Sequence, residues 1–266
     1  MKAITTIEAT RPSDRKHKRA DQYNQLDHNY LQYWQKREYE NAAEVIAIKR
    51  LLTGKHFNLA VDIGGGYGRL SILLVKYADK VILADPSKRQ LKFADDFLKE
   101  QPGIERQLMQ ADDLKFKDQS VDLVVMVRVL HHIPSPRIEL AEIARILNDK
   151  GYAIIEIANY GHALNHIKHL VRGKRLPVKP VDIRSPQNRT KDEIPFVNLN
   201  PHTFVRQLAH AGLRVERTLS VSNLRNPGLK KVVPLKAMLG LERALQSPLA
   251  RVYFGPSIFF LVKKSH

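Results

Sequence analysis

The segment Asp62-Ile-Gly-Gly-Gly-Tyr-Gly-Arg-Leu70 constrains this chain more than any other. It follows an apolar run at 59–63 and leads into an apolar stretch at 70–77, so it reads as strand, turn and helix. Gly64, Gly66 and Gly68 alternate through the turn, a spacing that permits left-handed backbone and lets a ligand approach the main chain. A dinucleotide fingerprint needs Gly-x-Gly-x-x-Gly, and here Arg69 stands in the last position. The Gly-Lys-Ser/Thr of a phosphate-cradling loop is absent too. Asp62 points the same way, because a carboxylate at the strand's mouth repels a pyrophosphate and suits a cation.

Strand-like and helix-like segments alternate after this turn. Residues 80–85 read as a second strand, followed by a Ser87/Gln90 capping box opening a helix that carries Leu91, Ala94 and Leu98. A third strand is expected at 106–111 and a fourth at 121–127, the latter nearly all apolar, as for a strand covered on both faces. Ser135 and Pro136 open a helix with Leu140, Ile143, Ala144 and Leu147 on one stripe, and 153–158 is a fifth strand. Asn200-Pro201 starts a late helix through Phe204 and Leu208, ended by Gly212, before strands at 214–221 and 257–263. The alternation predicts a parallel sheet wrapped by helices. Val45, Ile48 and Leu52 predict a helix over 41–52 that Gly54 closes. Two segments break the rhythm, 160–199 and 223–255, and are expected as partly helical insertions, with a helix over 232–245. The expected division is an N-terminal arm and helical lid over 1–58, then one α/β domain over 59–266.

Composition excludes several chemistries. With no cysteine among 266 residues there is no disulfide, iron–sulfur cluster, cysteine-ligated zinc or cysteine nucleophile. The N-terminal residues lack the apolar core of a signal peptide, and no stretch approaches a membrane span, so the expectation is a cytoplasmic protein. Net charge is +17, distributed as +4 over 1–58 (11 basic, 7 acidic), −1 over 59–160 (14 and 15) and +14 over 161–266 (19 and 5). The basic stretch 11–19 reads as an arm, and the last third reads as an anion-facing or simply solvated surface.

Asp85 ends the second strand 21 residues beyond Gly64, where a carboxylate can accept both hydroxyls of a ribose. A cation on the first loop and a ribose on the second strand describe S-adenosylmethionine. Here the sequence resembles the class I S-adenosylmethionine-dependent methyltransferases, nearest their ubiquinone/menaquinone and other small-molecule branch. Asp62–Gly68 resembles the glycine-rich motif, and Leu83-Ala-Asp-Pro-Ser87 the ribose-binding loop. Met109-Gln-Ala-Asp-Asp-Leu-Lys-Phe116 resembles the adenine-side motif, with Gln110 where the family usually has aspartate. The stretch from Val121 to Ile133 resembles the fourth strand and its exit, and Leu147-Asn-Asp-Lys-Gly-Tyr152 the turn before strand five. The resemblance covers roughly residues 59–158 and implies a Rossmann-like, seven-stranded, mostly parallel sheet with helices on both faces and the last strand antiparallel. N-terminal helices and the C-terminal insertions would then form a cap.

The resemblance implies a cofactor set of Asp62, Gly64, Gly65, Gly66, Gly68, Asp85, Pro86, Gln110, Ala111 and Asp112, with Arg128 at its edge. An N-terminal helix often closes over the cofactor in related enzymes, which makes Tyr33 and Arg37, from the cluster Tyr30, Tyr33, Trp34, Arg37 and Tyr39, expected lid contacts. His131 and His132 follow strand four on the side where α/β sites lie and are the candidates for substrate contact or general base. His162, His166 and His169 share a helical face but no carboxylate joins them, so they read as a solvated face and no metal is expected. Arg225, Lys230 and Lys231 face either an anionic substrate or solvent. Methyl transfer to a small acceptor, lipophilic, quinone-like or phenolic, is the leading expectation, with the basic insertions resting on an anionic membrane face. RNA methylation through the basic last third and a non-catalytic assembly role are the alternatives, although the Asn/Asp-Pro-Pro-Tyr/Phe motif for exocyclic amines is absent.

Overall fold

The computed structural model describes residues 30–189 and 194–265, so the basic stretch 11–19 lies outside the described residues. Seven strands form one sheet: β1 (Phe57–Ile63), β2 (Ala78–Asp85), β3 (Ile104–Leu108), β4 (Val121–Met126), β5 (Leu147–Ala158), β8 (Leu213–Val221) and β9 (Ser257–Lys264). A two-residue ladder, β6 (Val181–Asp182) with β7 (Val197–Asn198), lies apart from it. The sheet order is β3-β2-β1-β4-β5-β9-β8. Every pair from β3 to β5 is parallel, and only β9 runs against its neighbours β5 and β8. This is the Rossmann-like architecture the motifs imply.

The apolar runs explain it. Val121, Leu123, Val124, Val125 and Met126 of β4 are all buried, because α-helices cover both faces of the sheet. On one side lie α5 (Arg137–Ile146) and α8 (Pro201–His210), packing Leu140, Ile143, Phe204 and Leu208 against Val124 and Phe260. On the other lie α2 (Glu38–Leu51), the short α3 (Ser71–Leu74) and α4 (Lys88–Phe97), packing Ile48, Leu51, Leu74 and Ala94 against Leu83 and Val125. Helix α1 (Tyr30–Gln35) precedes α2.

Several boundaries differ from expectation for identifiable reasons. β3 ends at Leu108, not 111, because β2 itself ends at Asp85, whose carbonyl takes a last bond from the Met109 amide, and the chain then turns between Gln110 and Asp113. β5 begins at Leu147, so the motif expected as a turn lies within it, at a register shift against β4. Half of the capping box forms: Ser87 accepts from the Gln90 amide, but the Ser87 amide donates to Asp85 instead. Asn200 caps α8 through its side chain, as read from sequence.

The first insertion holds α6 (Ala163–Val171), the β6–β7 ladder and α7 (Pro186–Arg189). The second holds α9 (Pro227–Val232) and α10 (Leu235–Ala250), which starts after Pro234 rather than at 232. Its polar side is buried: Glu242 accepts from the Tyr39 hydroxyl at 2.6 Å and from the Ser222 and Asn223 amides, while the Gln246 amide donates to the Ala43 carbonyl. Burial and the Glu242 carboxylate both push the Tyr39 hydroxyl far above its ordinary value. Lys230 reaches Glu40 at 2.7 Å. The N-terminal helix α2 and the second insertion are thus fastened to each other across nearly the whole length of the chain.

Candidate active site

The glycine loop sits between β1 and α3, over the mouth of β2. Gly64, Gly66 and Gly68 all have positive φ (67°, 60° and 93°), which only glycine adopts cheaply. Their surroundings differ. A Cβ on Gly64 would lie 2.4 Å from Val129 Cγ2, and one on Gly68 would lie 2.5 Å from Leu98 Cδ1. Those two positions are small because the protein itself packs there. Gly66 has only the Gln90 Oε1 atom nearby, at 3.8 Å, and its open side belongs to a cleft of about 390 Å³ that is open to solvent. Trp34, Asp62, Gly64, Gly65, Gly66 and Arg69 line this cleft with Val127 behind them. Gly68 is not on its wall, and its smallness serves packing against Leu83 and Leu98.

Two carboxylates flank the loop on adjacent strands, where Ile63 pairs with Ala84. Asp62 is buried and accepts from the Ser71 hydroxyl at 2.7 Å. Burial pushes its carboxyl up to about 6, against the opposing pull of Ser71 and Arg69. Asp85 accepts from the Gly66 amide at 2.9 Å and the Ser87 amide at 2.8 Å, so the same carboxylate shapes the loop and opens the next helix. Pro86 is exposed between these two bonds. Beside them Gln90 is 2% exposed, and neither atom of its amide has a hydrogen-bond partner. A buried amide left so is costly unless a ligand completes it. Gln110, Ala111 and Asp112 form the turn after β3, one strand further along the same sheet edge.

A charged cluster closes the other side. Glu44, on α2, is fully buried and takes Arg69 at 2.7 Å on one oxygen and the Arg128 Nε at 2.8 Å on the other. Burial works to raise the Glu44 carboxyl, but Arg128 and Arg69 together hold it below the ordinary carboxylate range. The guanidinium of Arg69 stacks 3.7 Å above the Trp34 ring, and Arg37 lies 4.3 Å over Tyr33. Arg128 has φ +65°, a backbone that non-glycine residues rarely adopt, held by its amide donating to Glu156 at 3.0 Å. Arg69 therefore stands on the cleft wall where Arg128 was expected, while Arg128 is engaged with Glu44 behind it.

His131 and His132 lie on a 3₁₀ turn, Leu130–His132, at the exit of β4. Their rings pack at 3.9 Å, and Phe196 of the first insertion covers His131 at 4.4 Å. Nδ1 of His132 is 3.0 Å from the Pro195 carbonyl, so this nitrogen carries the hydrogen in the neutral ring. Burial lowers both: His132 to about 4, and His131 well below its ordinary value, helped by His132 and Arg128. Both are neutral near pH 7.

His162, which precedes α6, and His166 and His169 within it join no group of three metal-ligating side chains among the described residues. His169 is instead 3.0 Å from the Arg175 carbonyl and 3.4 Å from the Tyr160 hydroxyl. Sequence reading missed Glu44, Arg69 and Gln90. Only Gln90 carried a signal, as the last residue of the capping box.

Residues 61–155 match the family described as the methyltransferase domain. An inferred methyltransferase of Dictyostelium discoideum is 31% identical over 119 residues, which are 42% of this chain and 43% of that protein. The chain thus spans less than half the length of this curated relative. Among solved structures, an S-adenosylmethionine-dependent methyltransferase of Mesorhizobium loti superposes with a TM-score of 0.57 at 16% identity, over 85% of this chain and all of that one. An inferred methyltransferase of Haloferax volcanii, solved in complex with the Trm112 methyltransferase activator, gives 0.58 at 18% identity, over 88% and 93% of the two chains. The fold is that of the class I methyltransferases.

Proposed function

We propose that this chain is an S-adenosylmethionine-dependent methyltransferase acting on a small-molecule acceptor. The observation that carries the reading is the pair of carboxylates, Asp62 and Asp85, at adjacent strand ends on either side of a glycine loop that Asp85 itself holds. The donor set fits S-adenosylmethionine: Asp62 for the ammonium, Asp85 for the ribose hydroxyls, and the orphaned Gln90 amide for a further hydrogen bond beside Gly66. Gly64, Gly65 and Gly66 form the close backbone wall, Pro86 flanks the ribose, and Gln110, Ala111 and Asp112 frame the adenine. Arg69 and Trp34 stand at the edge, with Arg128 behind them on Glu44 and Tyr33 beside Trp34. The bound cofactor supplies a methyl group already activated for displacement, which leaves alignment and exclusion of water as the protein's main tasks.

Asp62 gives the reading a pH signature. Its carboxyl titrates at about 6 in the folded protein and must be ionised to hold an ammonium. One unit below that value only about a tenth is ionised, so affinity for S-adenosylmethionine should fall about tenfold from pH 7 to pH 5. Asp62→Asn should bind weakly at both values with the dependence gone. Calorimetry checks this, and binding that is flat with pH in the unsubstituted chain would remove Asp62 from its role. Absence of binding at any pH would favour a non-catalytic assembly role.

The acceptor in this reading is quinone-like or phenolic, entering beside Val127 toward His131, His132 and Phe196, with α1, α2 and both insertions as the cap and the cytoplasm as the compartment. A neutral His132 whose Nδ1–H is held by the Pro195 carbonyl presents Nε2 as an acceptor that orients a hydroxyl. With a protonation value near 4 it is a weak base. His132→Asn should therefore raise the acceptor KM about tenfold and leave the shape of the kcat profile between pH 5.5 and 8 unchanged, since an imidazole at about 4 has no limb there. A limb near pH 6.5 that the substitution abolishes would make His132 a true base instead. The competing acceptor, RNA, draws on the +14 charge of 161–266, and predicts binding that collapses steeply with salt.

A further inference from the structure

Helix α6 is folded inside out. On a soluble protein the apolar arc of a surface helix faces the core. Here Asn165 and His169 face the protein: the Asn165 amide donates to the Tyr160 carbonyl at 2.8 Å, and the His169 ring meets Tyr160 and the Arg175 carbonyl. Leu164, Ile167, Leu170 and Val171 lie on the opposite arc and are 65%, 57%, 81% and 81% exposed, and no residue of the helix is buried. Successive positions at 100° place these four side chains within one third of the helix circumference.

The charge around this arc is one-sided. Lys168, Arg172, Lys174, Arg175 and Lys179 follow or flank it, and no aspartate or glutamate occurs between Ile157 and Val181. All five cations are exposed. The surface continues beyond the helix. The Ala163 amide donates to the Phe254 carbonyl at 3.0 Å, which ties the start of α6 to a turn carrying the exposed Val252 and Phe254.

An apolar arc bounded by cations and free of anions matches the two chemistries of an anionic bilayer surface, acyl chains beneath phosphates. We propose that α6 is a membrane-docking helix that lays Leu164, Ile167, Leu170 and Val171 into the interface of an anionic lipid bilayer, with Lys168, Arg172, Lys174, Arg175 and Lys179 on the headgroups. A helix of nine residues lies on the surface and does not cross it, in keeping with the lack of any helix among the described residues long and apolar enough to span. The arrangement also accounts for why the polar side of α6 turns inward.

The test is co-sedimentation of the full chain with vesicles of phosphatidylcholine alone and of phosphatidylcholine with phosphatidylglycerol. The chain should sediment with the anionic vesicles at least tenfold more strongly than with the neutral ones. Ile167→Asp with Leu170→Asp should abolish more than nine-tenths of that binding, and the exposure of both side chains means that the thermal midpoint should not move. Charge removal at Lys168 and Arg172 should weaken it about fivefold each. Indifference to Ile167→Asp and Leu170→Asp, with loss on charge removal and competition by single-stranded RNA, would overturn the proposal in favour of a nucleic-acid surface. A dimer in sedimentation velocity that these two substitutions dissolve would overturn it in favour of a second copy of the chain, as would binding equal on both vesicle types in favour of general stickiness.

Discussion

Glu44→Ala should lower folding stability by about 3–5 kcal/mol, the range for removing one partner of a buried ionic network. The carboxylate is fully buried and joins Arg69 at 2.7 Å to Arg128. Without it two guanidiniums remain in largely buried positions, each with fewer hydrogen bonds. Arg69 keeps Asn41 at 2.6 Å, while Arg128 keeps the field of Glu156 and the Trp34 ring at 5.6 Å but loses its charged hydrogen-bond partner. Glu44→Gln retains the shape and one acceptor oxygen while its NH₂ group faces a guanidinium donor and the charge is lost, so its loss should be smaller, about half as large. A surface comparison sets the scale: Glu216, paired with Arg214 and Lys263 at partly exposed positions, should lose less than about 1 kcal/mol on replacement by alanine. Urea denaturation of the three variants reads these differences as shifts in midpoint at constant slope. A loss for Glu44→Ala no larger than for Glu216→Ala would mean that water reaches the cluster and that it does not organise the cleft.

That cluster also shows where sequence reading stopped. The sheet was legible because β1, β4 and β5 are covered on both faces and write themselves as continuous apolar runs. Asp62 and Asp85 were legible because each ends such a run, and strand ends in this architecture converge on one edge. Glu44, Arg69 and Arg128 are separated by 25 and 84 positions, and nothing local distinguishes Glu44 from the exposed acids of an ordinary helix. Its burial follows from α2 packing against both the sheet and α10, the latter a contact between residues about 200 positions apart. The same contact buries Glu242, whose neighbours in sequence suggest only a solvated helix. Gln90 was misread for a different reason. The capping pattern was right for the Ser87 hydroxyl, but Asp85 outcompetes the glutamine for the Ser87 amide because it is charged and two residues away, and the freed Gln90 side chain turns toward Gly66. The reversed orientation of α6 likewise escapes periodicity, which finds an apolar arc but not the side on which the protein lies.

Asp85→Ala should weaken binding of S-adenosylmethionine or S-adenosylhomocysteine about 100-fold, the largest effect expected at the site. Two losses add. Hydrogen bonds from ribose hydroxyls to a carboxylate contribute about 1.5–3 kcal/mol each, and one such bond alone is worth roughly tenfold or more. The second loss is structural: the Gly66 and Ser87 amides, now bonded at 2.9 and 2.8 Å, would be left without this acceptor, and the left-handed turn at Gly66 would lose its tether. Asp85→Asn separates the two. Its side-chain oxygen can still accept one amide, while its NH₂ group faces the other as a second donor and the charge is gone. Binding should then fall about tenfold with most of the fold's stability kept. Calorimetry with the nucleoside product, read beside the thermal midpoint of each variant, divides ligand contact from loop support. If Asp85→Asn binds as tightly as the unsubstituted chain while Asp85→Ala loses both binding and stability, the carboxylate serves the loop alone, and the ribose must be held by another group, for which the unpartnered Gln90 amide beside Gly66 is next to be substituted.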